Sequence, residues 1–357
     1  MVFSVKLAMI ARNEERCIGR ALASVMPHVD AAYVADTGST DETVSIARSH
    51  GAVVVSAPWR DDFSHARNLA LDAADADWTL VLDADEWLTE GAATLERLRA
   101  LPPERAGVVQ VCSTFELDGR LEQEFSSIVR ISPRGVRYQG RIHEQPTPVG
   151  ERFAIPLLLA HDGYEPSQLL SKRGRNELLL RAALRDSNGD PYLHYQLGKD
   201  LELQDRFAEA VNHYSRALSA NPDEAWRHDL DSRAIYVLKK SHLFDEGIAL
   251  AEAAMERWPQ SPDIPFALGD LLLDAALSAP ERASSLLPLV EAAWLRSLEI
   301  GDNSRLVGSV AGRGSHLAAR NLAAFHQALG NETEAGRYQK LSSALVSTRV
   351  DSGRLAP

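Results

Sequence analysis

Thr79-Leu-Val-Leu-Asp-Ala-Asp-Glu86 is an apolar run that leads directly into three carboxylates, Asp83, Asp85 and Glu86. An apolar run of this length is typical of a buried strand, and residues at the carboxyl end of such a strand face a ligand crevice. Two acids at positions i and i+2 can give one oxygen to a hard divalent cation and another to its water shell. The segment therefore predicts a clamp for Mg²⁺ or Mn²⁺ on a diphosphate. The alternative is a solvated turn that caps a helix beginning near Thr89.

Polar residues also follow two other predicted strands, in Ala11-Arg-Asn-Glu-Glu15 and in Asp36-Thr-Gly-Ser-Thr-Asp41. Because the carboxyl ends of parallel strands meet at one edge of a sheet, all three strand ends are expected to converge on one crevice. Asp36, at the strand end itself, is interpreted as accepting hydrogen bonds from a ribose or a base edge, whereas residues 39–41 are interpreted as helix caps. Arg67 is predicted on the helix before the carboxylate strand. It could reach a phosphate with its planar fork, or make only a surface ion pair.

The two halves of the chain have different patterns. Up to about residue 161, short β-rich runs alternate with helical stretches, which predicts an α/β sheet with mostly parallel strands. Beyond about residue 167, Leu, Ala, Glu and Arg recur at helical spacing. We therefore predict a catalytic domain at 1–165, an all-helical domain at 166–347 and a disordered tail at 348–357. The expected strands cover residues 5–10, 31–35, 52–56, 79–82 and 107–113.

The helical half carries the register of a tetratricopeptide repeat, with small residues at the points where two helices approach closely. The positions that match are Tyr195, Leu197, Gly198, Leu201, Ala208, Ala210, Tyr214, Ala217 and Pro222. A weaker copy includes Gly247 and Ala251, another opens at Leu268-Gly269, and 322–338 resembles a capping repeat. Gly312-Arg313-Gly314 has no strand before it and is interpreted as a flexible helix junction rather than a nucleotide loop.

Charge and composition exclude some classes of partner. The 357 residues include 38 Lys and Arg against 50 Asp and Glu, a net charge of −12 that repels nucleic-acid backbones. Cys17 and Cys112 lack the spacing of a zinc site or a disulfide framework, which favours a reducing cytoplasm. No apolar stretch approaches the roughly 20 residues of a membrane span. A soluble cytoplasmic protein is expected.

Four motifs in this order resemble glycosyltransferase family 2: Met-Ile-Ala-Arg-Asn-Glu-Glu15, Ala-Asp-Thr-Gly-Ser-Thr-Asp-Glu-Thr43, Phe-Ser-His-Ala-Arg-Asn68 and Leu-Asp-Ala-Asp-Glu86. Further on, Arg141-Ile-His-Glu144, His161-Asp-Gly-Tyr164, Lys172 and Arg175-Asn176 resemble the subgroup of the sublancin peptide S-glycosyltransferase, which carries tetratricopeptide-like C-terminal helices. The resemblance implies a GT-A nucleotide-diphospho-sugar transferase domain followed by a tetratricopeptide-like domain. The chain departs from the subgroup at Asp162, where an aromatic residue is common.

The resemblance also implies roles for individual residues. Ala11, Asn13 and Glu15 would line the nucleotide pocket, Asp36 would bind the uridine portion of the donor and Arg67 would face the diphosphate. Asp83 and Asp85 would hold Mn²⁺ or Mg²⁺, with Asp85 the more direct ligand, and His161 would complete the coordination.

The implied reaction is transfer of a sugar with inversion, from a nucleoside-diphosphate donor, most simply a UDP-sugar. Glu144 is the candidate base and His143 the alternative, since a carboxylate on a loop can lie within hydrogen-bond reach of an acceptor proton. The other interpretation of both residues is an orienting pair. A peptide is the first candidate acceptor, because repeat arrays form surfaces suited to peptides, and the same surface could form a homodimer. The alternatives are a glycolipid or polysaccharide precursor as acceptor, and a non-catalytic tetratricopeptide scaffold.

Overall fold

The computed structural model describes residues 2–117, 120–148, 150–161, 174–187 and 189–352, with the backbone alone at 115–117, 120–124 and 347–352. The chain divides into two compact units, Met1–Asn188 and Gly189–Pro357. The domain boundary expected near residue 165 lies outside the described residues. Of the expected tail at 348–357, residues up to Ser352 belong to the last helix, and 353–357 lie outside the described residues.

The first unit contains ten described strands and five described α-helices. The strands are β1 Val5–Ala11, β2 Ala32–Asp36, β3 Val53–Ser56, β4 Trp78–Asp83, β5 Glu86–Glu90, β6 Ala106–Leu117, β7 Arg120–Pro133, β8 Arg137–Gln139, β9 Gln145–Thr147 and β10 Arg152–His161. The helices are α1 Ile18–Val25, α2 Thr43–Ser49, α3 Phe63–Ala74, α4 Ala93–Leu98 and α5 Arg175–Asp186.

Eight of these strands form one mixed sheet in the order β3-β2-β1-β4-β7-β6-β10-β5. The pairs β3-β2, β2-β1, β1-β4 and β6-β10 are parallel, whereas β7 is antiparallel to both of its neighbours and β5 is antiparallel to β10. The five predicted strands are confirmed within one or two residues at most bounds. The segment after Asp85 is strand β5, so no helix begins near Thr89.

The two faces of the sheet are covered differently. Leu7 and Met9 of β1 face the larger core, which includes α1 and α4. On the opposite face, Ala8 and Ala35 pack with Ala70 of α3. These small side chains let α3 lie close to the sheet. That contact sets the position of Arg67, which lies on the same helix.

The second unit is helical, as predicted. Its described helices form four successive pairs: α6 Pro191–Glu202 with α7 Phe207–Ser219, α8 Arg227–Lys240 with α9 Phe244–Arg257, α10 Asp263–Ser278 with α11 Ala283–Ile300, and α12 His316–Ala328 with α13 Glu332–Ser352. None of the helices in the described ranges is long and apolar enough to cross a membrane.

The small residues of the predicted register lie where helices meet. A Cβ built on Gly198 would lie 2.3 Å from Tyr214 Cε1, and one on Gly269 would lie 2.5 Å from Trp294 Nε1. These contacts are closer than any real Cβ contact, so the aromatic rings of α7 and α11 pack directly on the backbone of their partner helices. The tetratricopeptide spacing in the sequence therefore reflects a steric requirement.

We expect Gly198→Ala to lower the stability of the protein by about 1–3 kcal/mol, because the added methyl group overpacks against the buried ring of Tyr214. Thermal melting followed by circular dichroism measures the change. Gly336→Ala is the matched control, since Gly336 is also helical and a Cβ there meets nothing within 4 Å. An unchanged melting temperature for Gly198→Ala would contradict the packing argument.

Candidate functional site

The carboxyl ends of β1, β2 and β4 lie side by side, as the sequence predicted. In the sheet register Ala11 is paired with Asp36, and Ile10 is paired with Asp83. The segments that follow these strands therefore start from one edge of the sheet. This edge is the place where open α/β sheets bind ligands.

The loops after β1 and β2 are held together by hydrogen bonds. Asn13 Oδ1 accepts from the backbone N–H of Thr40 at 2.8 Å, and the N–H of Asn13 donates to Ser39 Oγ at 3.0 Å. Glu15 Oε2 accepts from the N–H of Glu42 at 3.0 Å. Asn13 and Glu15 thus fix the shape of the crevice wall in this structure.

Asp36 closes its own turn. Its carboxylate accepts from the N–H of Ser39 at 3.1 Å and from that of Gly38 at 3.3 Å. Gly38 has φ +108°, a conformation that side chains disfavour, and this turn needs it. The side chain of Asp36 remains half-buried at the strand end. A ligand contact by Asp36 remains a prediction, and the observed role is turn closure.

Asp83 lies between two guanidinium groups. Arg67 Nη2 donates to its Oδ1 at 2.9 Å, and Arg130 Nη2 donates to its Oδ2 at 2.7 Å. Arg67 Nε and Nη2 also contact Glu144 Oε1, at 2.7 and 2.6 Å. On the other side Arg130 Nη2 donates to Glu86 Oε1 at 2.5 Å. We call this chain of charges, Glu144-Arg67-Asp83-Arg130-Glu86, the carboxylate–arginine network.

The network sets the ionisation of its members. Burial alone would raise the pKa of Asp83, but the Arg130 and Arg67 guanidinium groups hold it well below its usual range. Burial raises the pKa of Glu86, which accepts from Arg130 and from the backbone N–H of Asp83. The network contains three carboxyl groups and two guanidinium groups. In this structure both oxygens of Asp83 are engaged by arginine.

Asp85, two residues after Asp83, lies beside His161. His161 Nε2 lies 3.4 Å from Asp85 Oδ2, and His161 Nδ1 lies 3.1 Å from Ser113 Oγ. The sheet positions the histidine, because β10 pairs His161 with Glu86 of β5 on one side and with Ser113 of β6 on the other. The predicted set of Asp83, Asp85 and His161 is thus divided between two environments.

A model of glycosyl transferase family 2 matches the chain over residues 7–152, which include most of β1, all of β2 to β9 and every network residue. Residues 7–152 are a family 2 glycosyltransferase domain. A TPR repeat-containing protein of Synechococcus elongatus is 33% identical over 267 residues, covering 71% of this chain and 66% of that relative. The SPbeta prophage-derived glycosyltransferase SunS of Bacillus subtilis is 26% identical over 285 residues, covering 76% of this chain and 67% of that relative.

The chain thus spans about two thirds of the length of these two relatives. Among solved structures, a MamA fragment from Desulfovibrio magneticus RS-1 matches with a TM-score of 0.39 and 17% identity, covering 51% of this chain and 92% of that chain. This structural likeness is too weak to support a conclusion about the function of this chain.

The glycosyltransferase domain contains site residues that the sequence did not single out. Arg130 comes from β7, the strand inserted between β4 and β6. Asn68 exchanges two hydrogen bonds of 2.9 Å with the backbone of Tyr138 in β8, which brings β8 and the following Glu144 next to α3. The ring of Tyr138 lies 5.1 Å from the guanidinium carbon of Arg67. A lone arginine in a polar strand sequence gives no signal of its buried partners.

Two buried atoms of the network, Arg67 Nη1 and Arg130 Nε, and the hydroxyl oxygen of the adjacent Tyr138 make no hydrogen bond within the described part of the chain. Leaving a buried donor unpaired costs about 1–3 kcal/mol. The three atoms belong to one cluster, and an ordered water or an anionic group that entered it would satisfy them. The network therefore retains donors that could serve a ligand.

The side chains of the glycosyltransferase domain do not form a complete set of protein ligands for a divalent cation, but they could hold a cation whose other ligands are phosphate and water oxygens. In the described ranges no three or more His, Cys, Asp or Glu side chains form a group that could hold a metal ion, so an all-protein cage does not fit. Mg²⁺ and Mn²⁺ at phosphate-transfer sites commonly take only one or two carboxylates and complete their shell with phosphate and water oxygens. Asp85 and His161 fit that second arrangement. Residues 162–164 and Lys172, which extended the family resemblance, lie outside the described residues.

Proposed function

We propose that this protein transfers a sugar, with inversion at the anomeric carbon, from a UDP-sugar to a side chain of a peptide acceptor. The observation that carries the proposal is the division of the Asp83-Ala-Asp85-Glu86 turn. Asp83 and Glu86 are neutralised by buried arginines, whereas Asp85 lies next to His161 at the ends of β4 and β10. In this proposal two acids, Asp83 and Glu86, serve the structure, and the third, Asp85, serves the ligand.

In this proposal Asp85 and His161 hold a Mn²⁺ or Mg²⁺ ion, which supplies Lewis-acid stabilisation of the departing diphosphate. Ser113 orients the His161 ring through its contact with Nδ1, as outer partners of ligating histidines commonly do. Arg67 Nη1 would donate a hydrogen bond to a phosphate oxygen of the UDP-sugar. Ala11, Asn13, Glu15 and Asp36 line the nucleotide end, where the cross-linked loops keep the crevice open in one shape.

The acceptor proposal rests on the helical unit and on the likeness to SunS. We expect a glycolipid or polysaccharide precursor to be recognised by other parts of the chain, because the concave surface of a helical repeat array is better suited to a peptide. An acceptor screen with peptides and glycans separates these outcomes once the donor is known.

We expect UDP with Mn²⁺ to raise the melting temperature, while GDP and CDP raise it less. Saturation at about 100 times the dissociation constant adds about 2.7 kcal/mol, which is roughly 5–10 °C for a domain of this size. Differential scanning fluorimetry of the intact chain, with each nucleotide and with or without EDTA, measures the shift. No shift with any nucleotide would contradict the proposal and favour the scaffold alternative.

We propose Glu144 as the base that receives the acceptor proton, with His143 as the alternative. In the structure Glu144 Oε1 is engaged by Arg67, which supports an orienting role as well. If Glu144 is the base, Glu144→Gln will lower kcat by about 10²–10⁴-fold and leave the dissociation constant of UDP nearly unchanged. Equal losses in kcat and in donor affinity would assign Glu144 to the positioning of Arg67 and leave His143 as the base.

A further inference from the structure

The connection between α11 and α12, residues 301–315, lies across the first helices of the second and third pairs. We call this segment the strap. His228 of α8 contacts the carbonyl oxygen of Val307 through Nδ1 at 2.8 Å, and Asp263 of α10 accepts from the N–H of Val310 at 2.9 Å. Hydrogen bonds from side chains to main-chain groups are a means by which protein surfaces bind peptide segments.

The side chain of Arg313 occupies a site made by α8 and α10. Its Nη1 lies 3.1 Å from Asp263 Oδ1 and 3.2 Å from Ser232 Oγ, and its guanidinium carbon lies 5.5 Å from the ring centre of Phe266. Asp263 is fully buried, and within the described residues Arg313 is the only cation in an ion pair with it. A buried carboxylate without a cation is costly, so this site selects a guanidinium.

A third contact requires glycine at one position of the strap. Gly308 has φ +73°, and a Cβ built on it would lie 2.2 Å from Asp229 Oδ1. Asp229 has little freedom to move, because it is buried and accepts hydrogen bonds from Tyr195 and from Arg233. Only glycine therefore fits at this point of the strap.

The strap is held mainly by these polar contacts. Val307 is exposed over 44% of its surface and contributes little apolar burial. Within the strap, Asp302 Oδ1 accepts from the N–H groups of Gly312 and Gly314 at 3.0 and 2.9 Å, so the segment keeps a local shape of its own. A segment with few buried apolar contacts can open without unfolding the helices beneath it.

We propose that the surface formed by His228, Asp229, Ser232, Asp263 and Phe266 is a peptide-binding site, and that the strap fills it in cis. The ligand that this site fits is a peptide with a glycine five residues before an arginine, as in Gly308 and Arg313 of the strap, and with turns like those of the strap. The effective concentration of a tethered segment is in the mM range, so an incoming peptide must displace the strap. This inference does not depend on sugar transfer.

The proposal is tested with the full chain and a fluorescein-labelled peptide that reproduces residues 302–315. In fluorescence anisotropy, Gly308→Val should bind the peptide at least tenfold more tightly than the wild-type chain. The valine side chain would clash with Asp229 and displace the strap from the site. Asp263→Asn in the Gly308→Val background should weaken binding at least tenfold, and so should a peptide with methionine at the position of Arg313.

Gly330→Val is the matched control for the glycine change. Gly330 has φ +75°, nearly that of Gly308, but a Cβ there meets nothing within 4 Å, so this variant should bind the peptide as the wild type does. A peptide with methionine in place of the exposed Arg305 is the control for loss of charge. A folded Gly308→Val chain that binds no peptide, or binding that ignores Asp263 and the peptide arginine, would overturn the proposal.

Hydrogen exchange of the wild-type chain tests the same proposal if Gly308→Val does not fold. The amide of Val310 should exchange through a local opening, at least tenfold faster than the amides in the middle of α8 and α10. Exchange of Val310 only at the rate of these helix amides would show that the strap is a permanent part of the unit, and the proposal would fail.

Discussion

Asp85→Ala is expected to lower the rate of sugar transfer by at least about a thousandfold while the melting temperature of the apo protein changes little. Removing a single group that stabilises transition-state charge costs about 10²–10³ in rate, and loss of the cation adds to that. We expect the fold to be spared because Asp85→Ala leaves the ion pairs of Asp83 and Glu86 with Arg130 intact. Initial rates and the UDP-induced melting shift, each over a Mn²⁺ titration, measure the effect.

Asp72→Ala is the control for loss of a carboxylate, because Asp72 is exposed and forms an ion pair with the exposed Arg137. It should leave both rate and metal dependence unchanged. If Asp85→Ala kept the Mn²⁺-dependent UDP shift of the wild type, Asp85 would not be the metal ligand. Asp83 would then be the candidate metal ligand, and its carboxylate would have to break its ion pairs with Arg67 and Arg130 to bind the ion.

Arg130→Met is expected to destabilise the protein by about 3–5 kcal/mol. Its removal leaves Glu86, 3% exposed, as a buried carboxylate without a cation, and breaking one partner of a buried ion pair typically costs this much. At roughly 2–4 °C for each kcal/mol, the melting temperature should fall by roughly 6–20 °C. Thermal and urea unfolding measure the loss.

Two variants show whether the loss comes from the stranded carboxylate. Arg134→Met removes an arginine from the loop after the same strand, but Arg134 is 54% exposed, so its stability should change by less than about 0.5 kcal/mol. Arg130→Met combined with Glu86→Gln should recover part of the lost stability, since the buried charge is then gone. No recovery in the double variant would mean that Arg130 acts through packing alone.

The four parallel strands β1 to β4 were predictable from the sequence because their signal is local. β1, β2 and β4 are buried on both sides, so each reads as a run of apolar residues that ends in polar ones. β7 carries Glu, Gln, Ser and Arg, and β5 begins at Glu86 within the acidic motif. Their pairing is antiparallel and depends on neighbours distant in sequence, which a periodicity argument does not detect.

The helical half was predictable for a related reason. The first and third pairs of helices make the same contact between a glycine and an aromatic ring, Gly198 with Tyr214 and Gly269 with Trp294, and repetition makes the spacing visible in the sequence. The strap does not repeat. Its Gly312-Arg313-Gly314 sequence indicated only a junction, and its contacts with His228 and Asp263 join residues roughly 50 to 80 positions apart.

By itself, the sequence determined the order of the two folds, the three strand ends that meet at one crevice and the acidic motif placed there, because each depends on residues close together along the chain. Only the tertiary structure decided which side chains lie beside each acid. Arg67 on α3 and Arg130 on β7 approach Asp83 from two directions, and His161 at the end of β10 lies beside Asp85. The partner that a carboxylate receives is set by sheet order and helix packing, and no local pattern encodes either one.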